Sequence, residues 1–268
     1  MMKIDFHVHV TPPDITANWE KYAKKEPHFS LLSKSKVNKF ADVQDVIAMM
    51  EQNNIDKSVI FGFAFRDMGL CRYVNDYVID NVKKYPQKLE GFAVVPKGGK
   101  KSEIERCHDA GLKGVGELFD ISDKTANFCR ERGIPLLLHA SEPVGRYYPG
   151  KTDVTLKQLE TFINKNGDLK IILAHWGGGI MFYETIKEIK DNFQNVYYDT
   201  SASPFIYDNR IYRIVKALNL CKKVIFGSDF PILQPSRYFS SLEKCGFSDE
   251  EKDLILGGNA LELLGTVK

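Results

Sequence analysis

The sequence predicts an α/β protein, a single-domain (β/α)8 TIM barrel, and three observations predict it. Short β-rich runs alternate with amphipathic segments along the chain. The alternation occurs eight times. The 268 residues are a length that eight such units fill as one domain, taken as residues 1–268. A doubly wound open sheet alternates in the same way, but the count and the length favour the barrel.

The first run, "KIDFHVH" (3–9), leads into a long connection, residues 10–41, the one large departure from the rhythm. In a barrel this loop lies over the C-terminal mouth of the strands, where it can serve as a lid. "DVQDVIAMMEQNN" (42–54) sets Val43, Val46, Ile47 and Met50 at helical spacing behind Asp42, a natural N-cap. "KSVIFGF" (57–63) is the second strand. "YVNDYVIDNVKKY" (73–85) repeats the helical spacing with Val74, Tyr77, Val78 and Val82. "LEGFAVV" (89–95) precedes "SEIERCHDAG" (102–111), and "LKGVGEL" (112–118) precedes "SDKTANFCRERG" (122–133). These two helices end on Gly111 and Gly133, natural C-caps. "IPLLLHA" (134–140), "LKIILAH" (169–175), "NVYYDTS" (195–201) and "KVIFGSD" (223–229) complete the strands, with helical patterns at 153–166, 178–192, 207–219 and 248–264.

Composition narrows the function classes. Hydrophobic residues make up 43% of the chain, enough for a large core, and the net charge is only +2. No general nucleic-acid surface is expected. The locally basic stretch 20–40 also carries acids and apolar residues and reads as a solvated loop or short helix. The five cysteines are widely spaced with no CxxC pair, which argues against a disulfide framework and a cysteine zinc site. No signal segment or membrane span is apparent, so a cytoplasmic protein, with a homodimer allowed, is the expectation.

The active site of a barrel is built at the C-terminal ends of its strands. The titratable residues expected there are His7 and His9 on strand 1, Glu117 on strand 4, His139 on strand 5, His175 on strand 6, Asp199 on strand 7 and Asp229 on strand 8. Residues i and i+2 of a strand point the same way, so His7 and His9 share a face. A lone histidine ending an apolar strand is more often a satisfied core residue. Four of them converging with carboxylates need a partner for their polar nitrogens, and a divalent cation is that partner. Zinc is the first choice, with manganese, iron and nickel also compatible with such ligands. His108 reads as a surface helix residue and His28 as a loop residue. Asp5 has the parity of the two strand 1 histidines and is expected deeper, in a supporting role.

At these residues the sequence resembles the metal-dependent amidohydrolase superfamily, in the amidohydrolase-related branch that includes aminocarboxymuconate-semialdehyde decarboxylase. "IDFHVH", "LLLHA", "ILAHWGG", "IFGSDFP" and "ILGGNALELLG" carry the resemblance, with weaker matches at 85–96 and 112–118. It implies a (β/α)8 barrel with His7, His9, His139 and Asp229 as metal ligands. In decarboxylases of the branch the residue matching His175 positions or activates metal-bound water; in hydrolytic members the residue matching Asp229 is the general base. Glu117 stands where binuclear members carry a carboxylated lysine, so a mononuclear site, or one with Glu117 as an added ligand, is expected.

Around the mouth, Phe63, Phe65 and Arg66 follow strand 2; Glu142, Arg146 and Tyr147 follow strand 5; Trp176 follows strand 6; and Arg237 follows strand 8. The arginines are candidates for a substrate carboxylate, and Trp176 for a stacking wall. "WGGG" (176–179) is read as the start of a helix. The leading expectation is a metal-dependent hydrolase of a small carbonyl or carboxylate substrate, with Asp229 and His175 handling the proton. The alternative is a non-oxidative decarboxylase of a small aromatic or unsaturated acid using the same site. A non-catalytic metal-binding barrel is a remote third.

Overall fold

All eight β-rich runs form strands in the computed structural model, which describes residues 2–34, 40–141, 144 and 151–265. They are β1 (Ile4–His9), β2 (Lys57–Phe61), β3 (Leu89–Ala93), β4 (Gly114–Leu118), β5 (Leu136–Leu138), β6 (Ile171–Leu173), β7 (Val196–Asp199) and β8 (Val224–Ile225). The strands are parallel and lie in chain order. The residues after β8 return to β1: Asp229 N–H donates to His7 O (3.0 Å), and His9 N–H to Phe230 O (2.8 Å). These bonds close the barrel and set the β8 loop directly against the two strand 1 histidines.

The pleat sorts the core into two layers. Val59, Phe61, Phe92, Leu137, Ile172 and Ile225 belong to the inner cluster, whereas Ile60, Ala93, Leu136, Leu138, Ile171 and Leu173 pack outward with the helices. Strict alternation along β1 predicts that Ile4, Phe6 and Val8 all face the helices, and only Val8 does. Ile4 and Phe6 join the inner cluster, with Phe6 edge-on to Phe92 at 5.4 Å. The reason is a register shift: Asp5 pairs with Ser58 but Val8 with Ile60, so β1 spends one more residue than β2. A bulge of this kind reverses parity on one side of itself. It also removes Asp5 from the face of the histidines. Its buried carboxylate accepts Ser228 N–H (2.8 Å) and Oγ–H (2.5 Å) and holds the β8 loop.

The helix Val43–Asn53 starts as predicted. Asp42 accepts from Gln44 and Asp45, Asp45 reciprocates, and Asn54 ends the helix at φ +52°. One helical expectation is corrected and one helix is added. Residues 178–192 do not form one helix: His175, Trp176 and three glycines turn left-handed, a 3-10 run continues to Thr185, and only Lys187–Lys190 is α-helical. The helix Ser236–Lys244, which buries Tyr238 and Leu242 one turn apart, lies outside the predicted helical segments.

The long connection after β1 is partly helical, with short helices Pro13–Ala17, Trp19–Ala23 and Pro27–Ser33. Buried Glu26 pins it to the β2 loop by accepting Arg66 N–H (2.8 Å) and Asp67 N–H (2.9 Å). Among the described residues no helix is long and apolar enough to cross a membrane. The five cysteines are buried and unbridged.

Candidate metal centre

Six side chains from five strand ends meet at the mouth. His7 Nε2 and His9 Nε2 are 3.2 Å apart, and Asp229 Oδ1 lies 3.6 and 3.3 Å from them. Glu117 Oε2 is 3.8 Å from His7 Nε2 and 3.6 Å from His9 Nε2. Its other oxygen faces away, 2.9 Å from His139 Nδ1 and 3.6 Å from His175 Nε2. The six residues therefore form two triads, His7/His9/Asp229 and Glu117/His139/His175, joined by Glu117. Ligands held about 2.1 Å from one ion stand roughly 3.0–3.4 Å apart. The spacing around His7, His9, Asp229 and Glu117 is close to that. Buried His139 Nε2 has no hydrogen-bond partner among the described residues. The donor set thus fits a divalent cation, and the side chain of His9, 22% exposed, marks its open side.

The electrostatics also call for positive charge here. Burial opposes a charge on His7, yet the carboxylates of Asp199, Glu117 and Asp229 push its pKa up to about 10. Burial also opposes the anions, but the imidazoles around them prevail. His139 and His7 hold Glu117 well below the ordinary carboxylate range, and His9 and His7 hold Asp229 at about 2. His139 is shifted down, with burial the main cause. His175 is shifted up because Glu117 and Asp229 outweigh its burial. A divalent ion held among these groups would supply the compensating positive charge.

Backbone geometry aims these groups. His175 and Asp229 sit at φ +56° and +62°, a left-handed region costly for residues other than glycine. Asp199 helps to hold His175 there by accepting its N–H at 2.9 Å. Two glycines make room. A Cβ on Gly227 would lie 2.7 Å from the His7 Cβ, and one on Gly178, at φ +62°, would press on the Ser141 backbone at 3.0 Å.

The residues expected to bind substrate are dispersed. Trp176 is a correction: the left-handed turn sends its ring outward, where it is fully buried, edge-on to Tyr212 at 5.4 Å, with Nε1–H donating to Ser203 Oγ (2.6 Å). It packs in the core and does not line the mouth. Arg66 is exposed, and its backbone N–H makes the contact with Glu26. Arg237 lines a cavity of about 430 Å³ between the Val43–Asn53 helix and the β8 loop, together with Phe40, Met49 and Phe230. Arg146, Glu142 and Tyr147 lie outside the described residues. His28, read as a loop residue, packs at the mouth. Its ring lies 4.4 Å from Phe119, which in turn lies 5.1 Å from His139. The place of His28 in the connection 10–41, which is expected to lie over the mouth, is the signal that allows this position. His108 is half-buried on the Lys101–Asp109 helix and takes no part in the cluster.

The architecture and this cluster define a barrel enzyme with a metal-type centre. The chain belongs to the amidohydrolase family, whose model matches residues 4–266. It is 25% identical over 334 aligned residues to 2-amino-3-carboxymuconate-6-semialdehyde decarboxylase of Dictyostelium discoideum, covering 98% of this chain and 92% of the relative. Among solved structures it is similar to 5-carboxyvanillate decarboxylase from Sphingomonas paucimobilis (TM-score 0.77, 16% identity, 98% of this chain and 99% of the other). It is also similar to a dihydroxybenzoic acid decarboxylase from Polaromonas sp. JS666 with bound manganese and 2-nitroresorcinol (TM-score 0.70, 19% identity, 98% and 97% covered).

Proposed function

We propose that this protein is a metal-dependent, non-oxidative decarboxylase of a small aromatic or unsaturated carboxylic acid. The observation that carries the reading is the near full-length similarity to a decarboxylase in a chain whose strand ends assemble the His/carboxylate cluster. This reverses the order expected from the sequence, which put hydrolysis first.

In this reading His7, His9 and Asp229, with Glu117 and His139 completing the shell, hold a divalent cation such as zinc or manganese. When bound, the ion orients the substrate's oxygens and draws charge away from the bond to be broken. As carbon dioxide leaves, its bonding electron pair stays on the ring or vinyl carbon, which must then gain a proton. His175 is the acid for that proton: it is buried, imidazole is suited to proton transfer near neutral pH, and its Nε2 faces the cluster. Asp229 serves as a ligand in this reading; as general base it belongs to the hydrolytic one.

The test is a panel of hydroxylated benzoic acids and unsaturated dicarboxylic acids with manganese-loaded protein in deuterated water. The expected result is carbon dioxide release with one deuterium at the vacated carbon, and a loss of about 10²–10⁴ in rate for His175→Gln with metal content retained. Uptake of ¹⁸O from labelled water into the product, without carbon dioxide, would establish hydrolysis instead.

A further inference from the structure

Asp199 ends β7 behind the cluster, fully buried, and touches both of its functionally distinct histidines. Its Oδ2 accepts from His7 Nδ1 at 2.7 Å. Its Oδ1 accepts the backbone N–H of His175 (2.9 Å) and of Ser201 (3.0 Å), and also the hydroxyl of Ser201. Ser201 Oγ in turn lies 2.8 Å from His175 Nδ1, and Ser201 O lies 3.1 Å from the same nitrogen.

Donor accounting through this network has one consistent solution. An ionised carboxylate only accepts, so His7 Nδ1 must carry the proton in that contact. The hydroxyl proton of Ser201 is already committed to Asp199. Both Ser201 oxygens facing His175 Nδ1 are therefore acceptors, and that nitrogen also carries a proton. In the neutral imidazole the far nitrogen is then bare. His7 Nε2 thus turns a lone pair toward His9 and Asp229, and His175 Nε2, facing Glu117 and His139, is the nitrogen left to take up and give the proton.

We infer that Asp199 and Ser201 are positioning residues, with Asp199 fixing the His7 tautomer directly and, through Ser201, that of His175. The inference rests on the metal-centre part of the proposed function and does not depend on which bond the enzyme breaks.

The isosteric variant Asp199→Asn discriminates sharply. The asparagine Oδ1 is demanded by two backbone N–H groups and the Ser201 hydroxyl, so its NH2 turns to His7. His7 Nδ1 must then accept, and the proton moves to Nε2, the metal-facing nitrogen. Zinc, which is diamagnetic, is the probe. Chelator competition should show zinc affinity lowered about 10–100-fold or more. In ¹⁵N-histidine spectra of wild-type protein loaded with zinc, His7 and His175 should both carry the proton on Nδ1. Asp199→Asn should shift the His7 proton to Nε2 and leave His175 as it was. Ser201→Ala, which removes only one oxygen, should perturb the His175 ring signals, with zinc affinity within about 2-fold of wild type. A wild-type His175 with no proton on Nδ1, or Asp199→Asn protein with unchanged zinc affinity and unchanged His7, overturns the inference. These readouts need no turnover, so tautomers as expected in a protein that releases no carbon dioxide would refute the decarboxylase reading alone.

Discussion

At the scale of single residues, the donors were legible in the sequence and their surroundings were not. His7, His9, Glu117, His139, His175 and Asp229 each lie in the C-terminal part of a β-rich run, and one topological rule gathers them. Trp176 shows where that reasoning stops. Adjacency to His175 put it at the mouth, but the left-handed turn at His175–Gly179 points consecutive side chains in directions that neither helix nor strand periodicity describes. If Trp176 is a core residue, Trp176→Phe loses the hydrogen bond to Ser203 and some packing. Urea denaturation should then show a loss of about 1–3 kcal/mol. Zinc affinity should be unchanged; a selective loss of substrate affinity at full stability would return the ring to the mouth.

At the scale of elements, all eight strands lie within the predicted runs, because a parallel barrel strand is buried on both faces and its composition announces it. Faces were harder to read. The β1 bulge comes from pairing with β2, which no pattern within β1 contains, so it moved Ile4, Phe6 and Asp5 while leaving both histidines correctly aimed. The 10–41 connection hid its anchor for a similar reason. The partners of Glu26 are backbone N–H groups some forty positions away. Glu26→Ala would leave both donors without their charged acceptor, at a cost of about 2–3 kcal/mol. The expected outcome is faster protease cleavage and amide exchange within residues 10–41, with exchange in the β-strands unchanged. Equal protection in variant and wild type would mean that the aromatic contacts of His28 and Phe29 hold the segment without it.

At the scale of the whole molecule, the barrel turns a chain-long set of separated side chains into one cluster. His7 and Asp229 are 222 positions apart in sequence, yet their donor atoms lie 3.6 Å apart, because the return of β8 to β1 makes the two ends of the chain neighbours. Fold and cluster were therefore read together from the sequence. The choice between breaking an amide or ester and releasing carbon dioxide was not, since the same ligands serve both. The central claim is that this cluster is a divalent metal centre. The most direct measurement is anomalous scattering at the manganese edge from crystals grown with manganese. A strong peak within bonding distance of His7 Nε2, His9 Nε2 and Asp229 Oδ1, absent in His7→Ala, is the predicted result. An empty cluster, or manganese bound only elsewhere, would contradict it.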